Sequence, residues 1–268
     1  MSGLVPHTRE AGAGTTVLCL HSNASASAQW RGLMEVLAPR FRAVAPDLLG
    51  AGRSPPWPDD EPGRLACELD LLAPVLAAAG PRFHLVGHSY GAALATRIAL
   101  QMPQRVASLV LYEPTLFMLL DEEQPGSAAA AGIRDAAAVA AAAVQRGDLD
   151  AAGCAFIDFW LGAGAWHAMP AERRATVAAS MHPMARWAHA LFAETLKLAD
   201  LAVLRQPVLL LGGARSPPAA SEVLRLLRQA LPQAESVVFP DLGHMGPVTN
   251  AGPVNQAIER FLRAQPQA

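Results

Sequence analysis

The stretch Gly87-His88-Ser89-Tyr90-Gly91 has the form G-x-S-x-G and decides the fold prediction. Residues 83–86, which precede it, are apolar and typical of a buried strand. Residues 91–101, which follow it, place apolar side chains at helical spacing. A strand, a tight turn and a helix in this order hold the central serine at the carboxyl end of the strand with its hydroxyl exposed. The pattern therefore indicates that Ser89 is a nucleophile.

The composition fits one large domain with a sizeable core. The chain has 268 residues, of which 52% are hydrophobic and 16% are charged. Its net charge is −2, from 21 basic and 23 acidic side chains, and no basic stripe suggests a nucleic-acid partner. The three cysteines lie far apart in apolar stretches, so we expect buried thiols and not disulfides or metal ligands.

Neither a secretory leader nor a membrane span is expected. The first ten residues lack a basic region followed by an apolar one. No run of about 20 apolar residues occurs, which is the length that a spanning helix needs. We therefore predict a cytoplasmic protein that acts on a small-molecule substrate, without nucleic acid, membrane span, metal or cofactor. A homodimer is left open.

Strand-like and helix-like stretches alternate along most of the chain, which favours an α/β fold with a mostly parallel sheet. Residues 115–201 interrupt this alternation, because they contain helix-like stretches only. Residues 127–144 within them are rich in alanine, the best helix former, so helices are favoured over disorder. We predict a core of residues 1–114 and 202–268, with residues 115–201 inserted in it as a helical cap.

A serine hydroxyl needs a base that takes its proton. Among the eight histidines, His244 lies in a loop directly after the last predicted strand, so it leaves the same sheet edge as Ser89. The order of serine first and histidine later agrees with hydrolases of this topology. His21 follows a strand and is expected to order its own loop by hydrogen bonding.

A negatively charged oxygen that forms during acyl transfer needs two preorganised N–H donors. The residue after the nucleophile, Tyr90, is expected to supply one from its backbone. The loop after the first strong strand is expected to supply the other, from Asn23 or alternatively from Ser22.

The chain resembles the α/β-hydrolase superfamily over nearly its full length. The resemblance rests on residues 21–23, 46–54, 87–91 and 243–244. It implies an eight-stranded, mostly parallel sheet with a helical cap between the sixth and seventh strands. Only 14 residues precede Thr15, so the first two strands are expected to be short or partly missing. The family usually has glycine where this chain has Ser22, and Asp47 is expected to fix a loop.

The carboxylate that usually orients the histidine is missing from its expected position in this chain. Most of the family carries it at a G-x-x-D position that reads Gly213-Ala214-Arg215-Ser216 here. Glu113 follows a predicted strand that the family topology places next to that of Ser89, and the chain resembles one group of haloalkane dehalogenases that place their acid there. We predict that Glu113 completes a triad. Asp241 is the alternative acid, and a dyad without an acid is the second alternative.

A serine nucleophile favours hydrolysis of small apolar or aromatic esters or thioesters through an acyl-enzyme. The alternatives are a carbon–carbon bond hydrolase of diketone-like ring-cleavage products and a ligand-binding relative with little turnover. A cofactor-free oxygenase is less favoured. The expected pocket residues are aromatic, or close to the triad: Trp30, His88, Trp160, Trp187 and Met245.

Overall fold

A computed structural model describes residues 4–266, in which seven strands form one sheet. The strands are β1 (Thr8–Ala11), β2 (Thr16–Leu20), β3 (Arg42–Pro46), β4 (Phe83–His88), β5 (Val106–Tyr112), β6 (Val208–Gly213) and β7 (Glu235–Phe239). Their order across the sheet is β1-β3-β2-β4-β5-β6-β7. Strand β1 runs antiparallel to β3, and the other neighbours are parallel. The predicted α/β class is confirmed.

The sheet corrects the expected strand count, because the described residues contain seven strands and not eight. Within the described residues, only the four residues of β1 pair with the sheet ahead of β2. The resemblance implied short strands ahead of Thr15, but the sequence pattern did not locate β1. Its stretch Thr-Arg-Glu-Ala is largely polar and lies at a half-exposed sheet edge, where no run of apolar side chains is needed.

Helices cover both faces of the sheet, whose central strands are fully buried. The α-helices are α1 (Arg31–Leu37), α2 (Leu65–Ala78), α3 (Tyr90–Gln101), α4 (Met118–Glu123), α5 (Ala128–Gln145), α6 (Leu149–Leu161), α7 (Ala165–Ala168), α8 (Ala171–Ala179), α9 (Met184–Phe192), α10 (Pro218–Ala230), α11 (Gly246–Thr249) and α12 (Ala251–Arg263). Helices α1 and α12 pack on one face, and α2, α3 and α10 pack on the other. Within residues 4–266, no helix combines the length and apolar character that a bilayer span requires.

Helices α4 to α9 all lie between β5 and β6. The alanine-rich stretch forms α5, which begins after Ser127, whose hydroxyl accepts the N–H of Ala130 at 3.2 Å. This bond satisfies one of the free N–H groups of the first turn, as a helix N-cap should. The division of the chain into a core and an inserted cap at residues 115–201 stays a prediction.

Candidate active site

Ser89 lies in a tight turn between β4 and α3. Its backbone has φ 56° and ψ −118°, a conformation that L-residues rarely adopt. The two flanking glycines allow the turn, because a Cβ at Gly87 would lie 2.5 Å from the Cα of Ala92. A Cβ at Gly91 would lie 2.3 Å from the carbonyl oxygen of Leu20. The spacing of G-x-S-x-G thus has a steric cause at both ends.

Three side chains from distant parts of the chain form a continuous hydrogen-bonded series. Ser89 Oγ lies 2.9 Å from Nε2 of His244, and Nδ1 of His244 lies 2.7 Å from Oε2 of Glu113. All three residues are buried, with exposed fractions of 4% or less. A carboxylate only accepts, so Nδ1 carries the proton and Nε2 accepts from the serine hydroxyl. This series can move the serine proton to the imidazole and stabilise the resulting charge.

The second carboxylate oxygen of Glu113 also accepts hydrogen bonds. Oε1 accepts the N–H of Gly213 and the hydroxyl of Ser216, both at 2.6 Å. Ser216 occupies the position at which most of the family carries its acid, and here its hydroxyl donates to Glu113. The alternative acid, Asp241, pairs at 2.8 Å with Arg215 on the surface, where 79% of its side chain is exposed.

Positive φ values mark the same region of the molecule. Within residues 4–266, the non-glycine residues with positive φ are Ala24 (53°), Ser89 (56°) and Glu113 (44°). Ala24 follows the loop residue Asn23, so all three positions lie at the candidate site. Such conformations cost free energy and persist where the surrounding structure holds them, which is common at functional sites.

The two candidate oxyanion donors differ in their partners. Ser22 donates its backbone N–H and its hydroxyl to Oε1 of Gln29, at 3.2 and 3.0 Å. In the described part of the chain, the backbone N–H groups of Asn23 and Tyr90 have no such acceptor. Tyr90 is the first residue of α3, where helix N–H groups are free and favour an anion. The geometry therefore favours Asn23 over Ser22 as the second donor.

Gln29 and Tyr112 support the site and were missed at the sequence level. Gln29 Nε2 donates to Nδ1 of His88 at 3.1 Å, and Nε2 of His88 donates to the carbonyl oxygen of His244 at 2.8 Å. Burial lowers the pKa of His88 well below its ordinary value, which keeps this ring neutral. The hydroxyl of Tyr112 donates to the carbonyl of Gly243 at 2.8 Å. Two donors thus fix the His244 loop, and no sequence pattern marks Gln29.

His21 and Asp47 order loops around the site. His21 donates from Nδ1 to its neighbour's carbonyl at 2.8 Å, and its Nε2 accepts the N–H of Leu48 at 3.0 Å. Asp47 accepts the N–H groups of Ser27 and Arg53 at 2.7 and 2.9 Å. Burial alone would raise the pKa of Asp47, but these hydrogen bonds outweigh it and hold the pKa below its ordinary value.

A small, largely apolar cavity lies over Ser89. Only about 30 Å³ of it admits the centre of a water molecule, which is room for about two waters. No charged side chain is among the lining residues, which are Asn23, Ser89, Thr115, Phe117, Ile133, Ala136, Ala137, Phe156, Phe159, Trp160, Met184, Ala188, Leu191 and Phe192. Most of them come from residues 115–201. A substrate must therefore be small around its reacting group, or the helices above Ser89 must move.

Of the five expected pocket residues, Trp160 alone lines this cavity. Trp30 is buried in the core on the sheet face that α1 and α12 cover, opposite to α3. Met245 is half-buried in the loop after His244. His88 is fully buried in the hydrogen bonds described above. Trp187 packs 6.4 Å from the Tyr90 ring, because helix α9 turns a different face to the cavity. That face carries Met184, Ala188 and Leu191.

Trp160 stacks on the ring of His244, with the ring centroids 3.7 Å apart and the planes at 17°. An aromatic face attracts a cation, so the indole is placed to favour the protonated imidazole.

We expect Trp160→Leu to lower kcat by about tenfold, while Trp160→Phe keeps most of the activity. Turnover of a short ester by both variants, with thermal melts, measures this. Equal kcat values for the leucine and phenylalanine variants would refute a role of the aromatic face.

Glu68 is a buried carboxyl group beneath the site. It accepts the N–H of Leu49 at 3.0 Å and the hydroxyl of Tyr90 at 3.2 Å. Burial raises the pKa of Glu68 from 4.5 to about 8. The folded state therefore holds this proton more tightly than the unfolded state does. Its contribution to stability is full below pH 4.5 and is lost as the pH rises through about 8.

The variant Glu68→Gln is expected to gain stability relative to the wild type as the pH rises. Glutamine is neutral at every pH, so it avoids the cost of a buried charge. Urea unfolding at pH 5.5 and at pH 8.5 measures the difference in the free energy of unfolding between the two proteins. A difference that is the same at both pH values would show that Glu68 does not titrate in this range.

A family model described as alpha/beta hydrolase fold matches residues 15–251. A pimeloyl-(acyl-carrier protein) methyl ester esterase of Aeromonas hydrophila is 34% identical over 118 residues, 44% of this chain and 44% of that protein. A 2-hydroxymuconate semialdehyde hydrolase of a Pseudomonas species is 32% identical over 113 residues, 41% of this chain and 40% of that protein. The match to this chain spans less than half the length of these curated relatives.

A solved structure extends the similarity to almost the whole chain. The thermophilic esterase of Thermogutta terrifontis is 27% identical, with a TM-score of 0.72, over 96% of this chain and 92% of that one. The family match covers most of the sequence, and the sheet, the turn at Ser89 and the helices between β5 and β6 fit it. The chain belongs to the α/β-hydrolase fold family.

Proposed function

We propose that this protein is a serine hydrolase of small apolar or aromatic esters or thioesters. The observation that carries the proposal is the hydrogen-bonded series of Ser89, His244 and Glu113, of which Ser89 lines the cavity. A serine, a base and a carboxylate in this geometry are the parts that acyl transfer to water requires.

The proposed reaction begins with attack of Ser89 Oγ on the carbonyl carbon of the ester, while Nε2 of His244 takes the hydroxyl proton. Glu113 stabilises the imidazolium. The backbone N–H groups of Tyr90 and Asn23 stabilise the oxyanion. Collapse of the intermediate breaks the bond to the alcohol, which takes the proton from His244 and leaves an acyl-enzyme. Water, deprotonated by His244, then hydrolyses the acyl group and restores the serine.

The cavity favours esters over the carbon–carbon bond hydrolase alternative. Ring-cleavage products such as 2-hydroxymuconate semialdehyde carry a carboxylate, and a buried charge needs a partner. The residues that line the cavity offer no cationic side chain to such a group. The similarity to the 2-hydroxymuconate semialdehyde hydrolase therefore supports a shared fold and serine chemistry more than it supports a shared substrate.

The proposal is tested with a fluorophosphonate probe and a panel of p-nitrophenyl esters that vary in acyl length and aromatic character. We expect covalent labelling on the peptide that contains Ser89, with turnover highest for short or compact acyl groups. Turnover of a vinylogous diketone acid with none on the esters would favour the carbon–carbon bond hydrolase. Absence of both labelling and turnover would favour a ligand-binding relative.

A further inference from the structure

Two polar side chains interrupt the apolar lining of the cavity beside Ser89. Thr115 is 2% exposed and Asn23 is 9% exposed. The hydroxyl oxygen of Thr115 and the side-chain amide oxygen of Asn23 are both buried, and neither has a hydrogen-bond partner within residues 4–266. Buried polar groups without partners are rare in folded proteins and call for an explanation. Here both belong to residues that line one cavity.

Both residues lie close to the reacting serine. The backbone N–H of Thr115 donates to the carbonyl oxygen of Ser89 at 3.3 Å, which fixes Thr115 next to the nucleophile. Asn23 belongs to the loop whose backbone is proposed to hold the oxyanion. A substrate group that reaches either side chain is therefore close to the carbonyl carbon that Ser89 attacks.

We propose that Asn23 and Thr115 form a polar subsite for a hydroxyl group on the acyl part of the substrate, one or two carbons from the reacting carbonyl. The proposal rests on the serine hydrolase function proposed above and narrows its substrate class to esters of short hydroxy acids. The subsite lies on the acyl side, since it adjoins the nucleophile and the oxyanion loop.

The chemistry of the cavity selects a hydroxyl over other polar groups. A hydroxyl donates one hydrogen bond and accepts another, so one small group matches an amide oxygen and a threonine hydroxyl. A carboxylate or an ammonium group is excluded, because the lining residues provide no counter-charge. The tight cavity also favours the smallest group that can satisfy both side chains.

The test compares esters of equal shape. Lactate and 3-hydroxybutyrate esters are matched with isobutyrate and 3-methylbutyrate esters, in which a methyl group replaces the hydroxyl. Each kcat/KM is divided by the rate of hydroxide-catalysed hydrolysis of the same ester, which removes intrinsic reactivity. We expect the wild type to prefer at least one hydroxy ester by about tenfold or more, since the analogue without the hydroxyl leaves the subsite unpaired.

The variants separate hydrogen bonding from shape. Thr115→Val keeps the shape and removes the hydroxyl, so the preference should fall by about tenfold, whereas Thr115→Ser should retain most of it. Thr96→Val is the matched control, because it removes a buried hydroxyl that bonds within α3, at 2.9 Å from the carbonyl oxygen of Ala92. An unchanged preference in Thr115→Val, or no preference in the wild type, would overturn the subsite and leave room for water only.

Binding measurements test the subsite independently of the proposed hydrolase function. Calorimetry on Ser89→Ala compares methyl lactate with methyl isobutyrate and the two longer methyl esters, without turnover. If the wild type hydrolyses none of the esters but the hydroxy esters bind more tightly, the subsite stands and the hydrolase function fails. If both members of each pair are hydrolysed equally, the function stands and the subsite fails. If neither hydrolysis nor hydroxyl-dependent binding is seen, both fail.

Discussion

Replacing Ser89 with alanine is expected to lower the kcat for esters by about 10⁶, the scale of losing a nucleophile from an intact serine hydrolase site. The variant lacks the oxygen that lies 2.9 Å from His244, so no acyl-enzyme can form. Fluorophosphonate labelling should disappear with turnover. Retention of more than about one part in a hundred of the activity would place the nucleophile elsewhere.

Measuring the stability of Ser89 variants shows whether activity is lost through missing chemistry or through unfolding. Alanine keeps the positive φ of 56° at position 89, whereas glycine adopts such a conformation without a Cβ clash. We expect Ser89→Gly to be inactive as well, and to be more stable than Ser89→Ala by about 1 kcal/mol. Thermal melts of the two inactive variants measure the difference. Equal melting temperatures would argue against strain at this turn.

Replacing Glu113 with glutamine is expected to lower kcat by about 10⁴ while the protein stays folded. Glutamine has nearly the same shape, but its amide can donate to Nδ1 of His244. The imidazole then carries its proton on Nε2 and can no longer accept the proton of the serine. Ester kinetics and circular dichroism measure the two parts of this prediction. A decrease in turnover of less than threefold would rule out Glu113 as the triad acid.

Moving the carboxylate back to the position that is usual in the family provides the control. Glu113→Ala vacates the space next to His244, and Ser216→Asp adds a carboxylate where the serine hydroxyl now lies 2.6 Å from Glu113. We expect the double variant to recover at least about tenfold over Glu113→Ala alone, because the imidazole regains an anionic partner. No recovery, with both proteins folded, would mean that position 216 cannot reach the histidine in this chain.

The sequence predicted the fold class well because the relevant signals are local. Strands buried on both faces need continuous apolar runs, and the turn at Ser89 needs two glycines, so both leave clear patterns. The family resemblance was similarly specific, since its motifs lie at the ends of these strands. The position of strand β1 was not predicted, because an edge strand pairs through its backbone and makes little demand on side-chain type.

The pocket was predicted poorly for a physical reason. Aromatic residues in a helical segment pack either inward or toward a ligand, and the choice depends on how each helix is rotated in three dimensions. Trp160 and Trp187 belong to the same segment, yet only Trp160 lines the cavity. Gln29 was missed because its hydrogen bond to His88 connects residues 59 positions apart, and side-chain spacing along the chain does not encode such a contact.

The positions of the proposed nucleophile and acid on neighbouring strands affect how the site is assembled. Ser89 and Glu113 follow strands β4 and β5, which a single crossover through α3 joins, so their mutual geometry is set by a local unit of about 30 residues. His244 arrives from 131 residues beyond Glu113. With Glu113 as the proposed acid, the loop at residues 214–217 contributes only the hydroxyl of Ser216 to it, so changes in this loop that keep this hydroxyl are expected to be tolerated.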